Sequence, residues 1–192
     1  MPRWESDAQG RLERAALELF ENQGFERTSV AQIADAAGLK ERSFYRYFPD
    51  KREVLFAGNE LEARLVAQVE ATDPGLTPFE AVLTALRTAE EIFRPREFLL
   101  RRVRVIAANP ALVERDLIKL ADIADALAQA LERRGVESGK ARFIIDVVLA
   151  IHRRAVARWL AEPAASLSQL ITQAADELRE AVAESAQDAS RS

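Results

Sequence analysis

The sequence predicts an all-α protein. Only 7 glycines and 7 prolines occur among its 192 residues, which is few for a chain built from short strands and tight turns. Alanine, leucine, glutamate and arginine predominate, and all four favour helices. Apolar residues also recur at steps of three and four along most of the chain, the spacing that places side chains on one face of a helix.

The first 50 residues are predicted to form three short helices. The first runs from Asp7 to Gln23, and Gly24 is expected to end it in a left-handed cap. Thr28 or Ser29 caps the second helix, because either hydroxyl can accept a hydrogen bond from a free amide. The third helix covers residues 41–47, and its buried face is formed by two aromatic side chains four residues apart, Phe44 and Phe48.

Six more helices are expected after this point, separated by proline- and glycine-containing breaks such as Asp73-Pro74-Gly75 and Asn109-Pro110. The first of the six would connect two domains, with Asp50 as its N-cap, and residues 185–192 are expected to fray. We therefore divide the chain into residues 1–52 and 53–192. The predicted helices cover residues 51–71, 77–93, 95–108, 110–134, 140–160 and 166–184.

The composition argues against several kinds of catalytic chemistry. The chain has no cysteine and one histidine, His152, so thiolate catalysis and cysteine-bound zinc are excluded, and a catalytic triad or histidine metal site would depend on one residue. The sequence has no glycine-rich phosphate loop and no paired carboxylates at a recognisable spacing. We expect neither an enzyme, nor a bound metal, nor a cofactor.

No membrane association is expected from the sequence. It contains no apolar run of about 18 residues, the length that a spanning helix needs. The N-terminal segment MPRWESDAQG lacks the apolar core of a secretory signal. The simplest expectation is a cytoplasmic protein.

Positive charge is concentrated in one short segment, although the net charge of the chain is −4. Residues 40–52 contain five basic and two acidic side chains. Nucleic-acid binding depends on the charge that faces the phosphates, so an acidic chain can still bind DNA through such a segment.

The same segment follows the pattern of a helix-turn-helix. A short helix runs to Gly38, and a second short helix with outward basic and aromatic side chains follows at once. The pattern Thr28, Ile33-Ala34, Ala37-Gly38, Phe44-Tyr45, Tyr47-Phe48 and Lys51 resembles the TetR family of one-component repressors. This resemblance covers residues 10–57 at the level of motifs, and beyond them only the number and length of helices. It implies a DNA-binding helix-turn-helix domain followed by a larger helical domain for effector binding and dimerisation.

The recognition helix would enter the major groove and read base edges with outward side chains. Arg42 is suited to a bidentate contact with guanine, and Glu41 to accepting a bond from cytosine, while the resemblance implies that Tyr45, Tyr47 and Lys51 grip phosphates. A solvated charged face over a plain aromatic core is the alternative. Family members commonly have Ser or Thr at position 40 and a small residue at position 42, so their operators are not transferable. The predicted DNA contacts are Thr28, Ser29, Lys40, Glu41, Arg42, Ser43, Tyr45, Arg46, Tyr47 and Lys51.

The larger domain holds a surplus of bulky apolar residues, which form either ordinary core or an apolar pocket. The segment ERSFYRYFPDK resembles a subgroup whose effector domain is described as acyl-CoA-like, which implies a fatty acyl-CoA or another apolar effector. The arginines of residues 94–104 form an ion-paired face or an anion site. The predicted ligand contacts are Phe93, Phe98, Arg102, Val103, Ile106, Phe143, Val147, Ile151 and Trp159.

The last two predicted helices each carry an apolar stripe. Paired with a second subunit, the two stripes would close a four-helix bundle, although packing within one subunit could also use them. The predicted function is a homodimeric, ligand-responsive repressor of a palindromic operator in double-stranded DNA; an activator, or a DNA-binding protein without an effector, are the alternatives. The predicted interface residues are His152, Val156, Leu160, Leu170, Ile171, Ala174 and Leu178.

Overall fold

The computed structural model describes residues 3–56, 60–88, 95–162 and 164–189, with side chains for all of these except 3–7, 60 and 185–189. This part of the chain contains nine α-helices, one 3₁₀ turn and no strand, which confirms the all-α prediction. None of the helices described is long and apolar enough to cross a membrane. The elements are α1 (Arg3–Gln23), α2 (Val30–Ala36), α3 (Glu41–Tyr47), the 3₁₀ turn (Arg52–Leu55), α4 (Glu60–Ala71), α5 (Pro78–Arg87), α6 (Arg96–Ala107), α7 (Pro110–Arg133), α8 (Ser138–Ala161) and α9 (Leu167–Ala189).

The predicted connector helix over residues 51–71 is wrong. Residues Arg52–Leu55 form a 3₁₀ turn, and Phe56 leaves the helical region with φ −111° and ψ 25° before α4 begins at Glu60. Three successive side chains, Val54, Leu55 and Phe56, are buried here. All three belong to the core of this segment, and α4 starts after them as a separate helix.

Other predicted boundaries differ by a few residues. Helix α1 begins at Arg3, four residues before the predicted start. Helix α8 begins at Ser138, because the carboxylate of Glu137 caps it by accepting bonds of 2.8 Å from the amides of both Gly139 and Lys140. Helix α9 continues to Ala189, past the predicted end at residue 184. The predicted end of the fifth helix, at residue 93, lies outside the described residues.

The chain forms two compact units. The first unit contains Met1–Glu60 and Pro95–Ala121, and the second contains Leu61–Arg94 and Asp122–Ser192. Helix α6 and the first half of α7 therefore belong with the N-terminal helices. The functional division at residue 52 stays a prediction, because compactness does not show which residues bind DNA or an effector.

In the first unit, α1 packs against α2, α6 and the 3₁₀ turn. The apolar side chains of α1 from Leu12 to Phe20 are buried, apart from Leu19, which is half-buried. Each large apolar side chain removed from water stabilises the fold by about 1.5–3 kcal/mol. The largest members of this core are Leu12, Leu17, Phe20, Phe25, Ile33, Phe44, Phe48, Leu55, Phe56, Ile106 and Leu112.

In the second unit, α8 packs against α9, and α5 packs against both. A guanidinium also joins α7 to the end of α4: Arg134 donates hydrogen bonds to the carbonyls of Val69, Thr72 and Asp73 at 3.2, 3.0 and 3.1 Å. Val69 lies in the last turn of α4, and Thr72 and Asp73 follow the end of the helix, so the positive charge of Arg134 stabilises this C-terminus.

Candidate nucleic-acid interface

The turn between α2 and α3 is fixed by its own backbone. The Leu39 amide donates to the Ala34 carbonyl and the Gly38 amide to the Asp35 carbonyl, both at 2.8 Å. Gly38 lies in the left-handed region with φ +67°, where residues with a side chain are strained. The predicted glycine turn is confirmed.

Ser29 is the cap of α2. Its hydroxyl accepts from the Gln32 amide at 3.2 Å, and the Gln32 side chain accepts from the Ser29 amide at 2.8 Å, which completes a capping box. Thr28 is buried, and its hydroxyl donates to the Gly24 carbonyl at 2.8 Å. The two predicted phosphate contacts thus have different surroundings: Ser29 is exposed and Thr28 shapes the turn before it.

Helix α3 has the predicted bounds, Glu41–Tyr47. Lys40 stands at its N-cap without a side-chain hydrogen bond, as expected of a poor capping residue. Phe44 and Phe48 are 0% and 3% exposed, which confirms that both belong to the core. The orientation of α3 therefore depends on this core and on the preceding turn.

The outer face of α3 carries five of the predicted DNA contacts. Lys40, Glu41, Arg42 and Arg46 are exposed, and Ser43 is half-buried. The side chains of Lys40, Glu41 and Arg42 form no hydrogen bond or ion pair with the described part of the chain. These groups are held on a short, well-anchored helix with their donors and acceptors open to a ligand.

The two tyrosines, both predicted to grip phosphates, have different surroundings. Tyr45 is 54% exposed. Tyr47 packs partly against the core, because it lies three residues after Phe44 and so on the same side of the helix. Its hydroxyl accepts a hydrogen bond of 2.6 Å from Arg46.

Lys51 connects the segment after α3 to the turn after α1. Its ammonium donates to the Phe25 carbonyl at 2.6 Å and lies 4.1 Å from the centre of the Phe25 ring. Asp50 accepts from the amides of Arg52 and Glu53 at 2.7 and 3.2 Å. Asp50 was predicted as the N-cap of the connector helix; it instead accepts from the first two amides of the 3₁₀ turn, whose N-cap residue is Lys51. Partial burial opposes ionisation, but the bonds from Arg52 and Glu53 outweigh it and lower the pKa of Asp50.

Basic side chains of α6 and α7 hold the 3₁₀ turn within the first unit. Arg115 and Lys119 both pair with Glu53. Arg102 donates to the Leu55 carbonyl at 2.6 Å and to Asp116 at 3.2 Å. Burial lowers the pKa of the Arg102 guanidinium, while the neighbouring carboxylate of Asp116 acts in the opposite direction.

The predicted ligand contacts are divided between the two units. In the first, Arg102 is bonded as above, Phe98 and Ile106 pack in the core, and Val103 is 46% exposed. In the second, Phe143 is 68% exposed on α8, Val147 is half-buried, and Ile151 and Trp159 are buried. Phe93 lies outside the described residues. The assignment of these side chains to a ligand stays a prediction.

The predicted dimer contacts all lie on α8 and α9 of the second unit. Leu170, Ile171 and Ala174 are buried within the unit, so intramolecular packing already uses them. Burial lowers the pKa of the half-buried His152 to about 4, so this imidazole is neutral at pH 7. The remaining three, Val156, Leu160 and Leu178, retain exposed surface.

Sequence reasoning missed the residues that support the recognition helix from a distance. Besides Glu53 and Arg115, these include Arg11, which donates to the Ala37 carbonyl at 3.1 Å across 26 positions. Gln23 is another, donating to Thr28 and Gln32 at 3.1 and 3.3 Å. A basic residue within α1 was the only local signal, and it does not identify a partner.

A helix-turn-helix with an open basic outer face defines a DNA-binding protein. Residues 13–57 match the family model described as bacterial regulatory proteins, tetR family, and residues 76–183 match the model described as the MftR C-terminal domain. The second match alone covers more than half of the chain. The chain belongs to the TetR family of DNA-binding transcriptional regulators.

Similar proteins and solved structures are consistent with this family. The chain is 30% identical over 160 residues to the HTH-type transcriptional regulator TcmR of Streptomyces glaucescens, covering 77% of this chain and 71% of TcmR. It resembles Thermus thermophilus FadR, a TetR-family repressor solved with lauroyl-CoA, at a TM-score of 0.56 and 27% identity over 90% of this chain and 93% of that one. SmeT bound to triclosan matches at a TM-score of 0.60 and 20% identity over 91% of this chain and 90% of that one, which shows the fold alone.

Proposed function

We propose that this protein is a homodimeric repressor that binds a palindromic operator and releases it when a small, largely apolar effector binds the C-terminal domain. The observation that carries the proposal is the open outer face of α3. There Lys40, Glu41 and Arg42 are exposed and make no side-chain hydrogen bond or ion pair with the residues described. These side chains lose only their bound water when they contact DNA, because no bond within the protein has to be broken.

In the DNA complex, α3 lies in the major groove. Arg42 reads guanine through its two parallel N–H groups, and Glu41 accepts from a cytosine amine. Lys40 and Ser43 are further candidates for base contacts, while Arg46 and Tyr45 lie near the groove edge, where phosphate contacts fix the position of the helix. Ser29 and Lys51 bind the backbone on either side, and Tyr47 and Thr28 support them.

Two copies of the chain read the two halves of the operator. The exposed parts of the α8 and α9 stripes would join the copies, and the half-sites would be about 10–10.5 base pairs apart, one turn of DNA. An isologous interface of this kind requires a palindromic site, because the two recognition helices are related by a two-fold axis.

The effector proposal is supported by FadR, which is 27% identical to this chain and was solved in complex with lauroyl-CoA. A bound effector would change the spacing of the two recognition helices and so lower DNA affinity. By linkage, operator DNA must then lower effector affinity by the same factor. Helix α7 has residues in both compact units. We propose that it transmits the effect of effector binding to the DNA-binding helices.

Replacing Arg42 by alanine is expected to change base preference. A bidentate contact with guanine contributes about 1–3 kcal/mol of discrimination, so preference at one base pair of each half-site should fall about 5- to 150-fold. The measurement is selection from a randomised duplex library with the parent and the variant. Arg42→Lys is the matched control, since it keeps the charge and loses the two parallel N–H groups. Identical base preferences for the parent and Arg42→Ala would refute the base-reading role.

Replacing Lys51 by alanine is expected to weaken binding to every sequence by a similar factor. The lysine supplies positive charge, which acts on phosphates irrespective of sequence. If Lys51 contacts a phosphate, the slope of log affinity against log salt should become shallower by about 1. Fluorescence anisotropy on operator and random duplexes at three salt concentrations tests this. A loss confined to the operator, with the slope unchanged, would show that Lys51 only holds the Phe25 turn.

An acyl-CoA effector is expected to stabilise the protein thermally and to release the operator. Ligand that binds only the folded state raises stability in proportion to the logarithm of its concentration over Kd. Lauroyl-CoA, free coenzyme A and laurate should be compared in thermal melts and in anisotropy with the operator. Release by lauroyl-CoA alone supports an acyl-CoA effector, and release by laurate assigns the site to the apolar chain. If none of the three shifts either measurement, this effector class is wrong, while selective DNA binding would still support a regulator.

A further inference from the structure

Arg11 connects α1 to the turn of the helix-turn-helix. Its Nη1 donates to the Ala37 carbonyl at 3.1 Å. The same atom lies 3.6 Å from the position that a Cβ on Gly38 would occupy. One half-buried guanidinium therefore lies against two successive residues of the turn.

This position is electrostatically favourable. Ala37 is the C-cap of α2, and the last carbonyls of a helix carry partial negative charge and lack partners within the helix. A cationic donor forms a stronger hydrogen bond to such a carbonyl than water does, and it also fixes the position of the carbonyl. The bond also ties the short helix α2 to the 21-residue helix α1.

The recognition helix begins three residues beyond this turn. Helix α3 has only seven residues, and its N-cap, Lys40, makes no side-chain hydrogen bond. Its first turn is thus held by the path of the chain through Ala37 and Gly38. A change at the turn would tilt the end of α3 that carries Lys40, Glu41 and Arg42.

We propose that Arg11 is a positioning residue for sequence recognition. It fixes the turn so that the side chains of α3 meet the base edges in one orientation, without itself contacting a base. The inference rests on the proposed DNA-reading face of α3. A positioning residue affects the operator but not random DNA, whereas a phosphate contact affects both and lowers the salt dependence.

The test compares the full-length parent with Arg11→Met, Arg11→Lys and Arg14→Met. Arg14 is an exposed arginine on the same helix, so its variant removes the same charge. Kd is measured by anisotropy for the selected operator and for a scrambled duplex at three salt concentrations, and folding is checked by circular dichroism. We expect Arg11→Met to lose about 10-fold in the ratio of operator to scrambled affinity, with an unchanged salt slope, as for one charge-assisted hydrogen bond. Arg14→Met should leave the ratio unchanged.

Each other outcome contradicts the inference in a different way. An equal loss on both duplexes with a shallower salt slope would make Arg11 a phosphate contact. An unchanged ratio in folded Arg11→Met would show that the turn needs no support. If Arg11→Met does not fold, Arg11→Lys is the deciding variant, because it keeps the charge but loses the planar guanidinium. A ratio of operator to scrambled affinity lowered about threefold supports positioning. An unchanged ratio overturns it. A parent that does not prefer its selected operator would overturn the proposed function itself.

Discussion

Replacing Phe44 by alanine should lower the free energy of unfolding of the first unit by about 3–5 kcal/mol, the usual cost of deleting a buried aromatic ring. Phe44 is 0% exposed, and its ring centre lies 5.4 Å from that of Phe48. Both rings anchor α3 to the rest of the unit, so their contact determines whether the recognition helix is held. We expect operator binding by Phe44→Ala to be lost together with the protection of α1–α3 amides against hydrogen exchange.

The neighbouring residue supplies the matched control. Tyr45 is on the same helix but 54% exposed, so Tyr45→Ala should leave amide protection almost unchanged. It should still weaken binding to all duplexes, since the proposed role of its hydroxyl is a phosphate contact. If Phe44→Ala kept parental protection and parental affinity, the account of how α3 is anchored would be wrong.

Replacing Gly38 by valine should disrupt the turn and with it DNA recognition. A residue with a side chain pays about 1–2 kcal/mol in the left-handed region, and a β-branched residue is especially unfavourable there. The cost is conformational, because the nearest atom to an added Cβ is Arg11 Nη1 at 3.6 Å, an ordinary contact. Operator affinity should fall about 5- to 30-fold, since each 1.4 kcal/mol of distortion corresponds to a factor of ten.

Two other glycine variants check this reasoning. Gly38→Asn should retain more affinity than Gly38→Val, because asparagine tolerates the left-handed region better. Gly10→Ala lies within α1, where the added Cβ meets only the flexible end of Arg14, at 3.3 Å; it should preserve or raise stability, because alanine favours a helix. Equal behaviour of Gly38→Val and Gly10→Ala in melting and binding would contradict the special role of the turn.

Local patterns in the sequence were enough to predict the parts of the interface that depend on near neighbours. The four-residue step from Phe44 to Phe48 predicted the buried face of α3, and Gly38 predicted the turn. Asp50 was identified as a cap because a carboxylate two residues before free amides can accept from them. In each case the residue and its partner lie within one turn of the chain.

The supports of the interface could not be predicted in this way. Lys51 bonds to the Phe25 carbonyl across 26 positions, and Arg102 to the Leu55 carbonyl across 47. No periodicity links such residues, because their meeting depends on how α1, α6 and α7 pack. The break after Leu55 was missed for a related reason: the 3₁₀ turn is held by Arg115 at Glu53 and by Arg102 at the Leu55 carbonyl, and no local pattern reveals either contact.

The most direct test of the account is selection of binding sites by the full-length parent from a randomised duplex library. The account predicts enrichment of a palindrome whose two half-sites are about 10–10.5 base pairs apart, with a base preference that Arg42→Ala alters. Enrichment of no sequence, or of a single unpaired half-site, would contradict a dimeric regulator that reads DNA through α3.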